Sequence, residues 1–385
     1  MNFKLKTLSS VLCVSLLAVP ALAGCEDSNK KEEVSVKETN DSSINKNVES
    51  LQKKLTQLEK ALSSQDAKSV KKQAEAMNDQ WLSFENEVRE KYPLLYTDVE
   101  KYLQPIYLEA SKDKMDVDEI KSNTGALKDA LDRLNNAKET ALKTSDALSK
   151  AVEDYKNYVN KQTQKLVEST NQFTQDVKAK DLKKAKGSYA DARVYYERIE
   201  PIAESFGDLD PKIDAREGDV DPAEWSGFHL LEKAIWEEGS LEGMDKYADQ
   251  LDKDVKELND QISKVDLEPT QVVAGAMELL NEAAISKVTG EEERYSHIDL
   301  VDLAANVEGS KAVYHAILPA LTASSSDLAG KLDNEFTKLE DKLGQYRKGD
   351  HYVSYTDLTK DQIRELSQQL NVLSEMMAQS AEVFQ

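Results

Sequence analysis

Residues 48–62 read VESLQKKLTQLEKAL. Val48, Leu51, Leu55, Leu58 and Leu62 recur at spacings of three and four, separated by polar residues and one alanine. An α-helix completes a turn about every 3.6 residues, so these side chains form one apolar stripe while the rest face water. The pattern returns in Leu251, Val255, Leu258 and Ile262, and again in Leu358, Ile363, Leu366, Leu370 and Leu373. Glycine and proline are scarce, and no stretch alternates as strands joined by hairpin turns would. The sequence predicts an all-α chain of up-and-down helix bundles in two helical domains.

The beginning of the chain follows another logic. Lys4 and Lys6 precede an apolar run from Leu8 to Ala21, too short to span a bilayer, which takes about 20 apolar residues. The run ends in Leu22-Ala23-Gly24-Cys25, small residues before a cysteine. This is the pattern of a bacterial lipoprotein signal: residues 1–24 are removed and Cys25 is lipidated. Such an anchor holds a protein on the extracytoplasmic face of the cell membrane without a transmembrane helix. Residues 25–46 are polar and charged, and read as a disordered tether. The folded part divides near residues 140–150, where Lys143-Thr144-Ser145-Asp146 interrupts the apolar pattern. Residues 47–145 are expected to form an N-terminal domain of four helices, broken or kinked near Pro93 and Pro105. Residues 146–385 are expected to form a larger bundle of about seven helices.

Composition removes several chemistries. The cysteines are Cys13, lost with the signal, and Cys25, acylated, so thiolate catalysis and Cys-ligated zinc or iron–sulfur sites are excluded. The formal net charge is −22, and loss of Lys4 and Lys6 with the signal makes it more negative. Such a surface repels nucleic acid and attracts cations.

Ligating side chains concentrate between Tyr195 and Trp236. Glu197 and Glu200 lie three apart on one predicted helix, as do His229 and Glu232 on another, so each pair projects from one helix face. Two such pairs facing each other would surround a point with three carboxylates and an imidazole, which is how metal sites are built in bundle cores. The loop bearing Asp214 can add an oxygen. Taken singly, a Glu pair three apart is usually a solvated helix face, and a histidine among Phe228, Leu230 and Leu231 is more often a hydrogen-bonded core residue. Trp225 and Trp236 read as packing. A second acid-rich stretch runs Gly290-Glu291-Glu292-Glu293-Arg294-Tyr295-Ser296-His297-Ile298-Asp299-Leu300, and Asp302, Asn306 and Glu308 continue its polar face until Gly309 interrupts it. The acids after Gly290 also suit a helix start. An internal echo spans both halves: Asp66, Lys68, Lys71, Trp81 and Glu85 align with Asp181, Lys183, Lys186, Tyr196 and Glu200 at a constant offset.

Trp225-Ser226-Gly227-Phe228-His229-Leu230-Leu231-Glu232 resembles the Gly-x-His-x-x-Glu signature of the imelysin-like family. Tyr196–Pro201, Phe206–Pro211 and Gly290–Leu300 are similar to its EfeO/EfeM branch, and the resemblance covers roughly residues 150–385. It implies a helical bundle that binds metal through Glu197, Glu200, Asp214, His229, Glu232 and Glu291, with Glu292 and Glu293 as competitors for the last place. It further implies an iron-uptake lipoprotein working beside a membrane iron permease and a secreted haem peroxidase of the dye-decolorising kind. Many relatives carry an N-terminal copper-binding cupredoxin-like domain; residues 47–140 contain neither Cys nor His and read as helices.

Carboxylates with one imidazole suit ferric or ferrous iron; manganese and zinc fit the same donors. The expected function is therefore iron binding for uptake, without catalysis. A metal-bridged binder of extracellular polysaccharide is the alternative. A metallopeptidase is a weaker one, because Leu230 follows His229 and Lys233 stands where His-Glu-x-x-His places its second histidine.

Overall fold

The computed structural model describes residues 42–112, 114–137, 146–203, 205–207 and 209–381. The expected signal peptide, Cys25, most of the expected tether and residues 138–145 lie outside them. Among the described residues the chain is all-α apart from one antiparallel hairpin of two-residue strands, Arg347–Lys348 with His351–Tyr352.

Among the described residues five helices precede residue 138: α1 (Ser42–Ser63), α2 (Ala67–Leu82), α3 (Glu85–Lys91), α4 (Pro93–Ser111) and α5 (Val117–Asn135). Helix α1 already covers the last residues assigned to the tether, and Ile44 is buried in its stripe. The stripe read from the sequence, Val48 to Leu62, is buried throughout. It packs on α2 and α5 around Trp81, whose ring stacks on Tyr96 at 5.7 Å. One helix more than the expected four appears because Phe84 and Tyr92 bracket the short α3. Pro93 opens α4, where its missing N–H is harmless, whereas Pro105 lies inside α4.

The second core is built from α6 (Asp146–Lys178), α7 (Leu182–Glu197), α8 (Glu200–Ala203), α9 (Asp210–Asp214), α10 (Phe228–Trp236), α11 (Asp245–Ile262), α12 (Pro269–Ile285), α13 (Asp299–Ser324), α14 (Ser326–Gly344) and α15 (Lys360–Ala381). The long members α6, α7, α11, α12, α13 and α15 form the frame. The excess over the seven expected comes from short pieces, and α8, α9 and α10 all surround the site. Short helices with irregular connections carry no long stripe, so periodicity reports them poorly. Helix α4 packs on α12, and Arg89 Nη2 pairs with Glu278 Oε1 at 3.0 Å, joining the two cores. Among the described residues no helix is long and apolar enough to cross a membrane.

The internal echo extends to backbone geometry. Asp66 and Asp181 cap α2 and α7 by accepting from the N–H three residues on. Gln65 and Lys180, just before them, both take positive φ, 56° and 59°. The N–H groups of Asp66 and Asp181 bond the carbonyls of Ala61 and Asp176, five residues back in each case.

Candidate metal centre

Two glycines let the backbones close in. Gly227, at φ +90°, precedes α10; a Cβ there would stand 2.2 Å from the carbonyl oxygen of Ile213. The missing side chain lets the start of α10, with His229, lie against the end of α9, which carries Asp214. Gly309 sits within α13, where a Cβ would come within 2.6 Å of the carbonyl oxygen of Arg198. It ends the polar run read from the sequence without breaking the helix, and it allows α13 to approach the junction carrying Glu197 and Glu200. Below them Phe228 packs against Phe173, Tyr189 and Tyr196 at 6.0–6.1 Å and fixes α10. Burying a ring of this size contributes about 1.5–3 kcal/mol.

Five of the six expected site residues come together. His229 is buried, and its Nδ1 lies 3.0 Å from Glu232 Oε2. The other Glu232 oxygen accepts from the backbone N–H groups of Tyr295 and Ser296 at 2.9 and 2.7 Å. With Nδ1–H donating to Glu232, it is Nε2 that points inward, and once its proton is lost its lone pair faces the acids. That atom is buried without a hydrogen-bond partner and faces Asp214 Oδ1 and Glu292 Oε1, each 3.5 Å away. Glu197 and Glu200 approach from the opposite side; one oxygen each from Glu197, Glu200, Asp214 and Glu292 fall within 4.8 Å of one another.

Glu291 is not brought in. Its side chain is 62% exposed and pairs with Arg294 at 3.1 Å. Glu292 and Glu293 are the buried acids of that stretch, and Glu292 is the one facing His229 Nε2. Ser296 and His297 end the loop, where His297 takes a φ of 58° and its carbonyl accepts from Tyr355 N–H.

Three residues of the nest were not among the expected site residues. Arg193, wholly buried on α7, bonds Glu197 and Asp214 and lies 3.2 Å from Glu292 and 3.1 Å from Glu293. Lys287, equally buried, bonds Glu197 Oε2 and both oxygens of Glu200 at 2.6 Å. Asn306 donates to Glu197 Oε2 at 2.8 Å and Glu200 Oε2 at 3.2 Å. Arg193 stands four residues before Glu197, a spacing that on a surface would be an ordinary helix salt bridge. The signal for α13 was its polar row: Asp299, Asp302, Asn306 and Ser310, at helical spacing, are all buried.

The charges set the protonation. Burial alone would lower the His229 pKa, but Glu232, Glu292 and Asp214 hold its proton, pushing it up to about 10. Burial raises Asp214 to about 7 against the pull of Arg193 and His229. Burial would also raise Glu292, yet Lys287, Arg216 and His229 keep it well below the usual carboxylate range. Glu197 is likewise lowered, by Lys287 and Arg193 against burial. Glu293 and Asp302, buried beside other acids, are raised well above the usual range. An uncompensated carboxylate cluster in such a place would bear a large desolvation cost, so the nest demands positive charge.

The imelysin family model, labelled Peptidase M75, matches residues 151–379. The chain belongs to the imelysin family. Within it the chain is of the EfeM/EfeO type: it is 50% identical over 385 residues to "Iron uptake system component EfeM" of Bacillus subtilis, covering 100% of both chains. It is 44% identical over 238 residues to "Iron uptake system component EfeO" of Escherichia coli K12, which covers 60% of this chain and 63% of that one. It is 40% identical over 242 residues to "Efem/EfeO family lipoprotein" of Staphylococcus haemolyticus, covering 62% and 84%. The imelysin match spans the second core alone, and the buried nest lies within it.

Proposed function

We propose that this chain is an extracytoplasmic, lipid-anchored iron-binding protein that takes up iron at the His229 nest and hands it to a membrane permease. The observation that carries the reading is the buried, unpartnered Nε2 of His229, aimed between Asp214 and Glu292. Iron is cargo in this scheme. Its binders would be His229, Asp214 and Glu292, with Glu232 holding the ring and Glu197 and Glu200 supplying negative charge from the far side. One imidazole with oxygen donors suits ferric or ferrous iron, and manganese and zinc would bind to the same donors in vitro.

The relatives' names as iron uptake components support the cargo, and a relative named as a lipoprotein supports anchoring through Cys25 at the cell membrane. The partners proposed are the permease and the secreted haem peroxidase of the same uptake system. We read the protein as non-catalytic: its relatives are named as iron uptake components, and Leu230 and Lys233 stand where a His-Glu-x-x-His peptidase places its Glu and second His. His229→Ala tests the site. It is expected to lose more than the roughly 10- to 100-fold typical of residues that merely support a ligand, with helicity unchanged. His351→Ala, on the exposed hairpin, is the control. Iron affinity by competition titration, with circular dichroism, gives the answer; a folded His229→Ala protein that binds iron as before would overturn the reading.

A further inference from the structure

We propose that Lys287 occupies the place of a second metal ion, so that the nest accepts one ion, at the His229 end, and this lysine limits it to one. The inference rests on the metal-binding reading above and adds what sets the number of ions held.

The nest has two ends. At one, His229 Nε2, Asp214 and Glu292 converge, the nitrogen has no hydrogen-bond partner, and Arg193 lies beside both carboxylates. At the other, Lys287 Nζ lies 2.6 Å from three carboxylate oxygens of Glu197 and Glu200, and 3.8 Å from Glu292 Oε1. Those acids, with Asp214, hold oxygens close enough together to ligate an ion by themselves. The ammonium therefore sits where an oxygen-ligated cation would sit.

Why a cation must be there follows from burial. Glu197, Glu200 and Lys287 are all withdrawn from water. Carboxylates in that environment need compensating charge, which Lys287 supplies to both acids and Arg193 shares at Glu197, and removing one partner of such a set strands the rest. The carboxylates do not dictate whether the compensation is an ammonium or a metal. Lys287 prevails because it is attached: it sits on a short turn, Lys287–Thr289, directly after α12. A tethered cation competes with free ions at a high effective concentration. The turn closes at Gly290, with φ of 81°, and the chain returns to place Glu292 at the shared boundary of the two ends. Lys287 thus removes the Glu197–Glu200 pair from competition for the incoming ion. The ion is then held by few carboxylates, which suits cargo that must be given up again.

The test uses the full mature chain and manganese(II), a hard ion that avoids iron's redox chemistry. Stoichiometry is read by titration calorimetry and by metal content after gel filtration. The unmodified protein and Lys287→Arg, which keeps the internal cation, are expected to hold one manganese ion per chain. Lys287→Met is expected to hold two, and to gain more thermal stability from manganese than the unmodified protein gains. Because stranding Glu197 and Glu200 can unfold the metal-free variant, it is also recovered in manganese. One ion in Lys287→Met, or no folding at saturating manganese, overturns the inference, as do two ions in the unmodified protein. No ion in the unmodified protein overturns the metal-binding reading itself, a separate outcome.

Discussion

Glu232 holds His229 by Nδ1 across 3.0 Å while its second oxygen is tied to the N–H groups of Tyr295 and Ser296. One carboxylate thereby fixes the imidazole on α10 and the loop that carries Glu292. The separation between two proposed ligands depends on a residue whose own oxygens are both engaged. Glu232→Gln would keep the shape but weaken both grips. Manganese affinity is expected to fall by about 10- to 100-fold, the range for partners that orient a ligand. A titration showing no loss would remove Glu232 from that role.

Affinity should rise with pH. In the ion-free protein His229 keeps its proton up to about pH 10, and Asp214 up to about pH 7. A metal ion needs Nε2 bare, so binding near pH 7 must expel that proton. Calorimetry in buffers of different ionisation heat is expected to show about one proton or more released per ion at pH 7. Release of none would contradict the assignment of Nε2. The same groups shape ion-free stability. The folded pKa of His229 lies above its ordinary value of 6.5, so its stabilising effect is complete below that pH and is lost as pH rises through about 10. Glu197, Glu232 and Glu292 are lowered, so their contribution is present above the ordinary carboxylate pKa and is lost in acid. Thermal melts of the ion-free protein should show a maximum between these limits.

The acids after Gly290 separate cleanly. Glu292→Gln is expected to weaken manganese binding by more than about 100-fold, because it removes a carboxylate facing Nε2 rather than one supporting a ligand. Glu291→Gln, at an exposed salt bridge, is expected to bind as the unmodified protein does. The opposite ranking in parallel titrations would move the site to Glu291.

Gly227→Ala should damage both stability and binding. The backbone conformation alone costs about 1–3 kcal/mol for a residue with a side chain. The clash with the Ile213 carbonyl adds to that and pushes α10 away from Asp214. A lowered melting temperature together with weaker manganese binding is expected; unchanged binding would show that this approach does not set the site.

Stripes such as Val48 to Leu62 were legible because an apolar residue every three or four positions has one stable solution in water. His229, Glu232, Glu197, Glu200 and Asp214 were legible as a group through spacing and family signature. Lys287 was not. Ala284-Ile285-Ser286-Lys287-Val288-Thr289 reads as a helix end with a solvated lysine, and only the fold turns that ammonium inward. Arg193 was hidden because its spacing to Glu197 is that of a surface pair, though the pair is wholly buried. Glu291, Glu292 and Glu293 could not be ranked from sequence, since which of three adjacent acids points inward is set by the turn at Gly290.

The joint between the two cores has a consequence for anyone dissecting the chain. Leu94 packs against the second core, and Glu278 on α12 meets its cation in Arg89 from the first. A fragment beginning at residue 146 would bare that face of α12 and leave Glu278 unmatched. Greasy surface laid open in this way is what makes trimmed proteins stick to one another.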